Sequence, residues 1–443
     1  MQFLGSILDL VLSFKAYVML PVLMMILSIF IRIEWRKAFK SCLTLGIGFI
    51  GIFVIFDYFV GNIAPALEAI IGRTGMNFDV LEVGWPPFAA MAWSFEFVPI
   101  MILLVFATNI VMVIFKWTHT INIDIWNFWH FIIMCQMMYE ISGNIFISLS
   151  AAVLLVVITL KIADWSARDV EEFSGLEGVA ITTVTGSCYY PIAVLGNSVL
   201  EKIPYINKIK ADPEGIKDKL GFFGESMFIG FIMGLGLGIV AKYSIKDTLE
   251  LAFNIAAVVF IIPKMCGILI EGLMPISSGM KEYIIKRFPK MEKSYIGLDF
   301  SVLLRDPAVA VTGILLMPVA LVLALTLPRI RFIPLGDLPN MMGVVVMIVV
   351  ACKGNVIRSI IIAIPILIGK LYASSSLAGL YTKLAENVNY SINGYDGQIT
   401  GFLAGGNLLR YWIMNLFTRT TWAIFLVPIV VYILYYTKKK CET

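Results

Sequence analysis

Six ionisable side chains stand inside or beside long apolar runs: Glu96, His130, Glu140, Glu177, Asp299 and Asp396. A charge at membrane depth is costly, so such groups mark a substrate path or a structural pairing. Glu177 lies in Gly175-Leu176-Glu177-Gly178, and Gly394-Tyr395-Asp396-Gly397 repeats the same Gly-x-acid-Gly pattern. Thr182 and Thr183 follow the first copy, and Pro191 closes it. Bare backbone beside a carboxylate is tolerated at that depth only where protein or a water-filled cavity surrounds it. The stretch 173–191 therefore reads as a re-entrant hairpin, with a second one around 394–410. Carboxylates accept hydrogen bonds from hydroxyls, an imidazole donates or accepts, and indole faces such as Trp85 and Trp126 pack on C–H surfaces. Together these groups suit a small, hydroxyl-rich molecule. No intramembrane cluster of Arg or Lys is evident that would suit a phosphate or other anion.

Each of these residues also has a plainer role. Glu96 and Glu140 lie near span ends and can reach the interface. His130 can hydrogen-bond a neighbouring helix, and Asp299 can serve as a helix N-cap. Glu177 and Asp396 can cap hairpin helices in the same way. No P-loop, HExxH, nucleophile elbow or Rossmann fingerprint is present, which leaves an intramembrane enzyme without a catalytic motif. GLGLG at 234–238 reads as helix packing. The six cysteines show no metal spacing, and several sit in apolar runs as small hydrophobes. No metal or cofactor is expected.

The elements that must position these residues are membrane spans. Of the 443 residues, 59% are hydrophobic and 14% charged, against about 25% charged in soluble domains. Apolar runs of spanning length recur from end to end, giving an all-α polytopic membrane protein. The N-terminus lacks the features of a cleaved signal peptide. Residues 1–15 read as an interfacial amphipathic helix. Spans are expected at about 16–33, 41–60, 95–115, 125–141 and 145–160. Between the second and third, Gly84-Trp85-Pro86-Pro87 is expected to break any helix.

The second half resembles the first. Pro65 answers Pro275, Gly84 answers Gly297, Asp124-Ile125-Trp126-Asn127 answers Asp337-Leu338-Pro339-Asn340, and the two Gly-x-acid-Gly tips fall in the same order. We read residues 1–204 and 220–418 as two copies, joined by a lysine-rich cytoplasmic link at 205–219. Each copy holds five spans and a hairpin. An odd number inverts the second copy across the membrane. Residues 419–443 add a final span and a basic tail. The total is eleven spans, with the N-terminus outside and the C-terminus in the cytoplasm. Most Lys and Arg residues then fall on the cytoplasmic side. The net charge of +4 fits such loops better than a nucleic-acid surface.

Several stretches resemble a known family: LTLGIGFIGI (43–52), VGWP (83–86), NIDIWN (122–127), GLEGVAI (175–181), PIAVLGNSVLEKIPYINKIK (191–210), GFFGESMFIGFIMGLGLGI (221–239), IGLDFSVLL (296–304) and PLGDL (334–338). They are similar to the galactitol-type enzyme IIC permeases of the bacterial sugar phosphotransferase system, with the ascorbate permeases as more distant relatives. The resemblance implies a homodimeric permease in the bacterial inner membrane. It would move sugar or polyol inward by an elevator motion. A separate cytoplasmic phospho-cysteine IIB protein, charged through IIA, would phosphorylate the cargo. The resemblance places the substrate site at Gly84, Trp85, His130, Glu177 to Thr183, and Asp299, to which the second tip adds Asp396. Galactitol relatives tend to carry Pro-His-Gly where this chain has Thr182-Thr183-Val184. That change alters the donor pattern and admits another polyol, a ketose or a pentitol. The rival expectation is an H⁺- or Na⁺-coupled transporter using Glu177 and Asp396 as ion sites.

Overall fold

The computed structural model describes residues 16–74, 78–206, 226–287, 294–334, 336–388 and 397–442. The expected interfacial helix, most of the cytoplasmic link and Asp396 lie outside the described residues.

Each half opens on a short helix followed by a very long one. Helix α1 (Ala16–Phe30) turns at Arg32 into α2 (Trp35–Thr74). The expectation that this span ends near Val60 is therefore corrected. The IAPALEAI segment is rich in helix formers, and Pro65 is carried inside the helix. Strand β1 (Val80–Glu82) follows, then α3 (Trp85–Trp93) and α4 (Val98–Ile114), bent by 93° at their junction. The Trp85-Pro86-Pro87 run starts a helix where a break was expected. Gly84 supplies φ +74°, and the prolines fall in the first turn, where an N–H has no intrahelical partner.

Strand β2 (Thr120–Asn122) leads through a 3₁₀ turn (Ile125–Phe128) into α5 (Trp129–Ser142). Gly143 at φ +61° ends α5, and Asn144 Oδ1 accepts from the Phe146 and Ile147 amides to start α6 (Ile145–Ser174). Helix α6 runs well past the expected end at Leu160. The stretch read as a hairpin thus begins as the last turn of α6. It continues as β3 (Val179–Ile181), the short α7 (Val184–Ser187) and α8 (Tyr190–Leu200).

The second half runs through α9 (Ser226–Val240), α10 (Ile245–Arg287), β4 (Tyr295–Leu298), α11 (Pro307–Thr326), α12 (Met341–Ala351), α13 (Val356–Asn387), β5 (Gln398–Thr400) and α14 (Leu408–Phe417). Helices α15 (Thr421–Phe425) and α16 (Val427–Glu442) complete it. Lysine or arginine takes the left-handed conformation after α1, α4, α9 and α11, at Arg32, Lys116, Lys242 and Arg329. A cation there meets the negative end of the helix dipole.

The short strands are absent from the all-α expectation. They are parallel and they mix the halves. β1 pairs with β5, and β4 lies between β2 and β3. The pairing satisfies non-helical backbone in the interior. Alongside β1, the Val80 amide donates to the Arg331 carbonyl, so both assemblies have a third backbone segment beside the middle strand.

Among the described residues, four helices are long and apolar enough to cross a membrane, or five if the bent α3–α4 pair counts as one. Eleven spans are not reached by that measure. The outward faces of α2 and α10 carry Trp35, Phe39, Leu43 and Ile47, and Ile245, Leu249 and Phe253. In water this stripe would be a liability, while in lipid it is the favourable face. Between these two helices, Tyr58 Oη donates to Asn254 Oδ1 (2.7 Å) and Asn254 Nδ2 to Asn62 Oδ1 (2.5 Å).

Candidate functional site

The parallel β2-β4-β3 sheet delivers a polar cluster. On α4, Asn109 Nδ2 donates to the Thr120 carbonyl (2.8 Å) and its Oδ1 accepts the Asn122 amide (2.9 Å), which pins β2. Asn122 Oδ1 then accepts from Thr182 Oγ1 (3.1 Å) and from the Asp124 amide (3.1 Å). Asn127 Nδ2 bridges two acids, Asp124 Oδ2 at 2.6 Å and Asp299 Oδ2 at 2.7 Å. Thr183 Oγ1 donates to Asp299 Oδ2 (2.8 Å) and accepts the Phe300 amide (3.2 Å). Asp299 Oδ1 caps the next turn through the Ser301 amide (2.8 Å). The N-cap role and the cluster role of Asp299 therefore coexist, one on each oxygen. Thr182, Thr183, Asn122, Asn127 and Asp124 are buried, and Asp299 is half-buried. In the loop before α5, burial first and the Asp299 charge second push the Asp124 carboxyl up to about 7.

His130 lies next to this cluster. It is buried on α5, with Nε2 at 2.9 Å from Thr185 Oγ1 and Nδ1 without a partner. The Trp129 ring packs against it, and Trp85 stacks on Trp129 at 6.4 Å between centroids.

A second constellation is built differently. Glu82 Oε1 accepts from the Gly84 amide (2.9 Å) and the Phe402 amide (3.1 Å), and Oε2 from the Gly336 amide (2.5 Å) and the Asp337 amide (3.1 Å). Asp337 accepts from the Trp85 amide (2.9 Å) and the Leu403 amide (2.6 Å). Four bonds use the acceptor capacity of one carboxylate. This arrangement is a staple holding three backbone segments together, with little left for a ligand. Burial and the neighbouring Asp337 charge raise the Glu82 carboxyl, while its amide donors work against them. Gly84 belongs to this staple: a Cβ there would lie 3.2 Å from the Gly336 carbonyl.

The structure thus gathers Thr182, Thr183 and Asp299 into one cluster, with His130 beside it and Gly84 and Trp85 at the adjoining staple. It separates Glu177, which sits exposed in the turn between α6 and β3, flanked by Gly175 and Gly178 at positive φ. Glu177 makes none of the cluster's hydrogen bonds: the two residues of that stretch that enter the cluster are Thr182 and Thr183. Glu140 pairs with Lys383 (3.7 Å) and accepts from Asn387, and Glu96 is exposed. Asp396 lies outside the described residues.

Sequence reasoning missed Asn122, Asp124 and Asn127, although NIDIWN held all three and its Asp recurs in the second half as Asp337. It also missed two cations. Lys370 on α13 and Arg410 on α14 are both fully buried and within electrostatic range of one another. The expectation of no intramembrane cluster of Arg or Lys is therefore corrected to this buried pair. They lie on separate helices of an apolar chain, so no local pattern joins them.

Residues 10–396 match the family described as the PTS system sugar-specific permease component, EIIC-GAT. The chain belongs to this family. The permease family and the apolar helices together make it a multi-pass membrane protein. The chain is 31% identical over 408 residues to a putative permease IIC component of Escherichia coli K12, covering 92% of this chain and 93% of that one. It is 32% identical over 401 residues to the galactitol-specific EIIC components of Escherichia coli K12 and O157:H7, covering 90% of this chain and 88% of each.

Proposed function

We propose that this permease carries a galactitol-like polyol into the cell, coupled to phosphorylation by a separate cytoplasmic IIB protein. The observation that carries the reading is the Asp124–Asn127–Asp299 bridge with Thr183 on it. Acids, amide and hydroxyls at this spacing can exchange their mutual hydrogen bonds for those of a neutral polyol. His130 and Trp85 then wall the site. In the transfer step, a polyol hydroxyl oxygen bonds to phosphorus as the phosphorus–sulfur bond of the IIB phosphocysteine breaks. The hydroxyl proton passes to a carboxylate of the cluster, and the thiolate leaves with its electron pair. The permease supplies positioning and a proton acceptor; the phosphate comes from the partner.

The architecture in this proposal is two inverted copies, eleven spans and a homodimer that moves its core as an elevator. The recurring helix order and the exchanged strand pairs support the duplication. Transport into sealed vesicles decides the function. Polyol should accumulate as its phosphate ester only when phosphorylated IIB is supplied. Equal accumulation of unmodified polyol with and without IIB would refute the scheme.

A further inference from the structure

We propose that Arg410 and Lys370 form a buried anion subsite that receives the phosphoryl group of a phosphorylated polyol. The proposal rests on the substrate reading above and extends it from the neutral cargo to the charged product.

The two cations differ in how they are satisfied. Lys370 Nζ donates to Tyr189 Oη (3.2 Å) and to the Leu403 carbonyl (3.0 Å). Arg410 Nε, Nη1 and Nη2 are buried and have no hydrogen-bond partner. No carboxylate lies within ion-pair distance of either cation among the described residues. An unpaired buried guanidinium is costly, and its planar fork of donors matches the oxygens of a phosphate. It stands in the first turn of α14, whose N-cap is Asn407, so the helix dipole adds to the same field.

Position ties this subsite to the polyol cluster. Asn407 Nδ2 reaches the Val184 carbonyl (3.4 Å) and Cys188 Sγ (3.3 Å), joining the start of α14 to α7. Along α7, Thr185 holds His130, and Thr183 just before α7 holds Asp299. Arg410 is within electrostatic range of His130, whose Nδ1 is also unpartnered. A polyol phosphate would keep its hydroxyls on the Asp299 side and its phosphoryl group on the Arg410 side. The free polyol would leave the guanidinium unmet.

The test uses the full chain in detergent, with galactitol, galactitol 1-phosphate and inorganic phosphate as separate probes. Wild type should bind the ester at least about tenfold more tightly than the polyol, and inorganic phosphate should raise the melting temperature above a chloride control of equal ionic strength. Arg410→Gln should remove that preference while shifting galactitol affinity by less than about threefold. An ester bound no better than galactitol, together with no protection by phosphate, overturns the proposal on wild type alone. Full ester preference retained in Arg410→Gln and in Lys370→Gln overturns it as well. Should Arg410→Gln not fold, Arg410→Lys takes its place and should keep only part of the preference. Failure of the substrate reading looks different: galactitol itself goes unbound, while inorganic phosphate still protects in an Arg410-dependent way.

Discussion

Among single residues, Thr183 and Asp124 make the sharpest predictions. Thr183→Val keeps the volume and deletes the hydroxyl that donates to Asp299 and accepts from the Phe300 amide. Losing such a pair costs about 1–2 kcal/mol. Polyol Kd, read by calorimetry, should rise about tenfold or more, with Asp299→Asn at least as damaging. Glu177→Gln should leave that Kd unchanged, because Glu177 is exposed and away from the cluster. Asp124 makes a pH prediction. Its carboxyl is raised to about 7 in the folded protein and sits near 4 in the unfolded chain. Between those values the folded state binds more protons, so stability falls as pH rises through the window. Wild type should therefore melt lower at pH 8 than at pH 5, by several degrees more than Asp124→Asn does. Equal pH slopes in the two proteins would contradict the assignment.

Among the elements, two connections hold the interior in place. The Glu82 staple ties β1, the 336–337 turn and the 402 turn through four amides. Glu82→Gln puts an amide NH₂ against two N–H donors, which costs about 2–4 kcal/mol. Thermal melting should drop sharply, and further than in Thr183→Val, which loses about 1–2 kcal/mol. The second connection is the approach of α2 to α10 at Gly272, where a Cβ would lie 2.5 Å from the Leu45 amide nitrogen. Backbone cannot move aside there, so Gly272→Ala should reduce the yield of folded protein in the membrane.

The same scale shows what the sequence could and could not reveal. Apolar runs locate α4, α5 and α6, and the gap between 141 and 145 falls at the joint of the last two. Helix ends were harder. The Gly84-Trp85-Pro86-Pro87 run reads as a break, yet its prolines begin α3, and Pro65, beyond the expected end of the second span, is carried within α2. The strands are three or four residues long and pair with partners far along the chain, so no periodicity could show them. The acid singled out by its glycines, Glu177, stands at a turn because glycine there serves the backbone: Gly175 and Gly178 both take positive φ. The threonines just beyond it carry the polar edge.

At the scale of the whole molecule, the two assemblies of strands share one plan. In each, the middle strand comes from one half and a flanking strand from the other: β1 with β5, and β4 with β3. That exchange is what a pseudo-twofold axis relating the halves would produce. In the inverted arrangement proposed above, the axis lies in the membrane plane, so matched elements face opposite sides. The turn after α1, at Arg32, should then be cytoplasmic, and its counterpart after α9, at Lys242, external. The final run from Thr421 to Glu442 ends with Lys438, Lys439 and Lys440, which belong in the cytoplasm under the positive-inside rule. Single cysteines placed at Arg32 and at Lys242, in a background with the native cysteines replaced, give the measurement. In intact cells, a membrane-impermeant maleimide should label position 242 and spare position 32. In inside-out vesicles the pattern should reverse, and a cysteine replacing Lys439 should follow position 32. Labelling of positions 32 and 242 from the same side would mean that the halves repeat without inversion. The exchanged strands would then report a twofold along the membrane normal, which keeps matched elements on the same side.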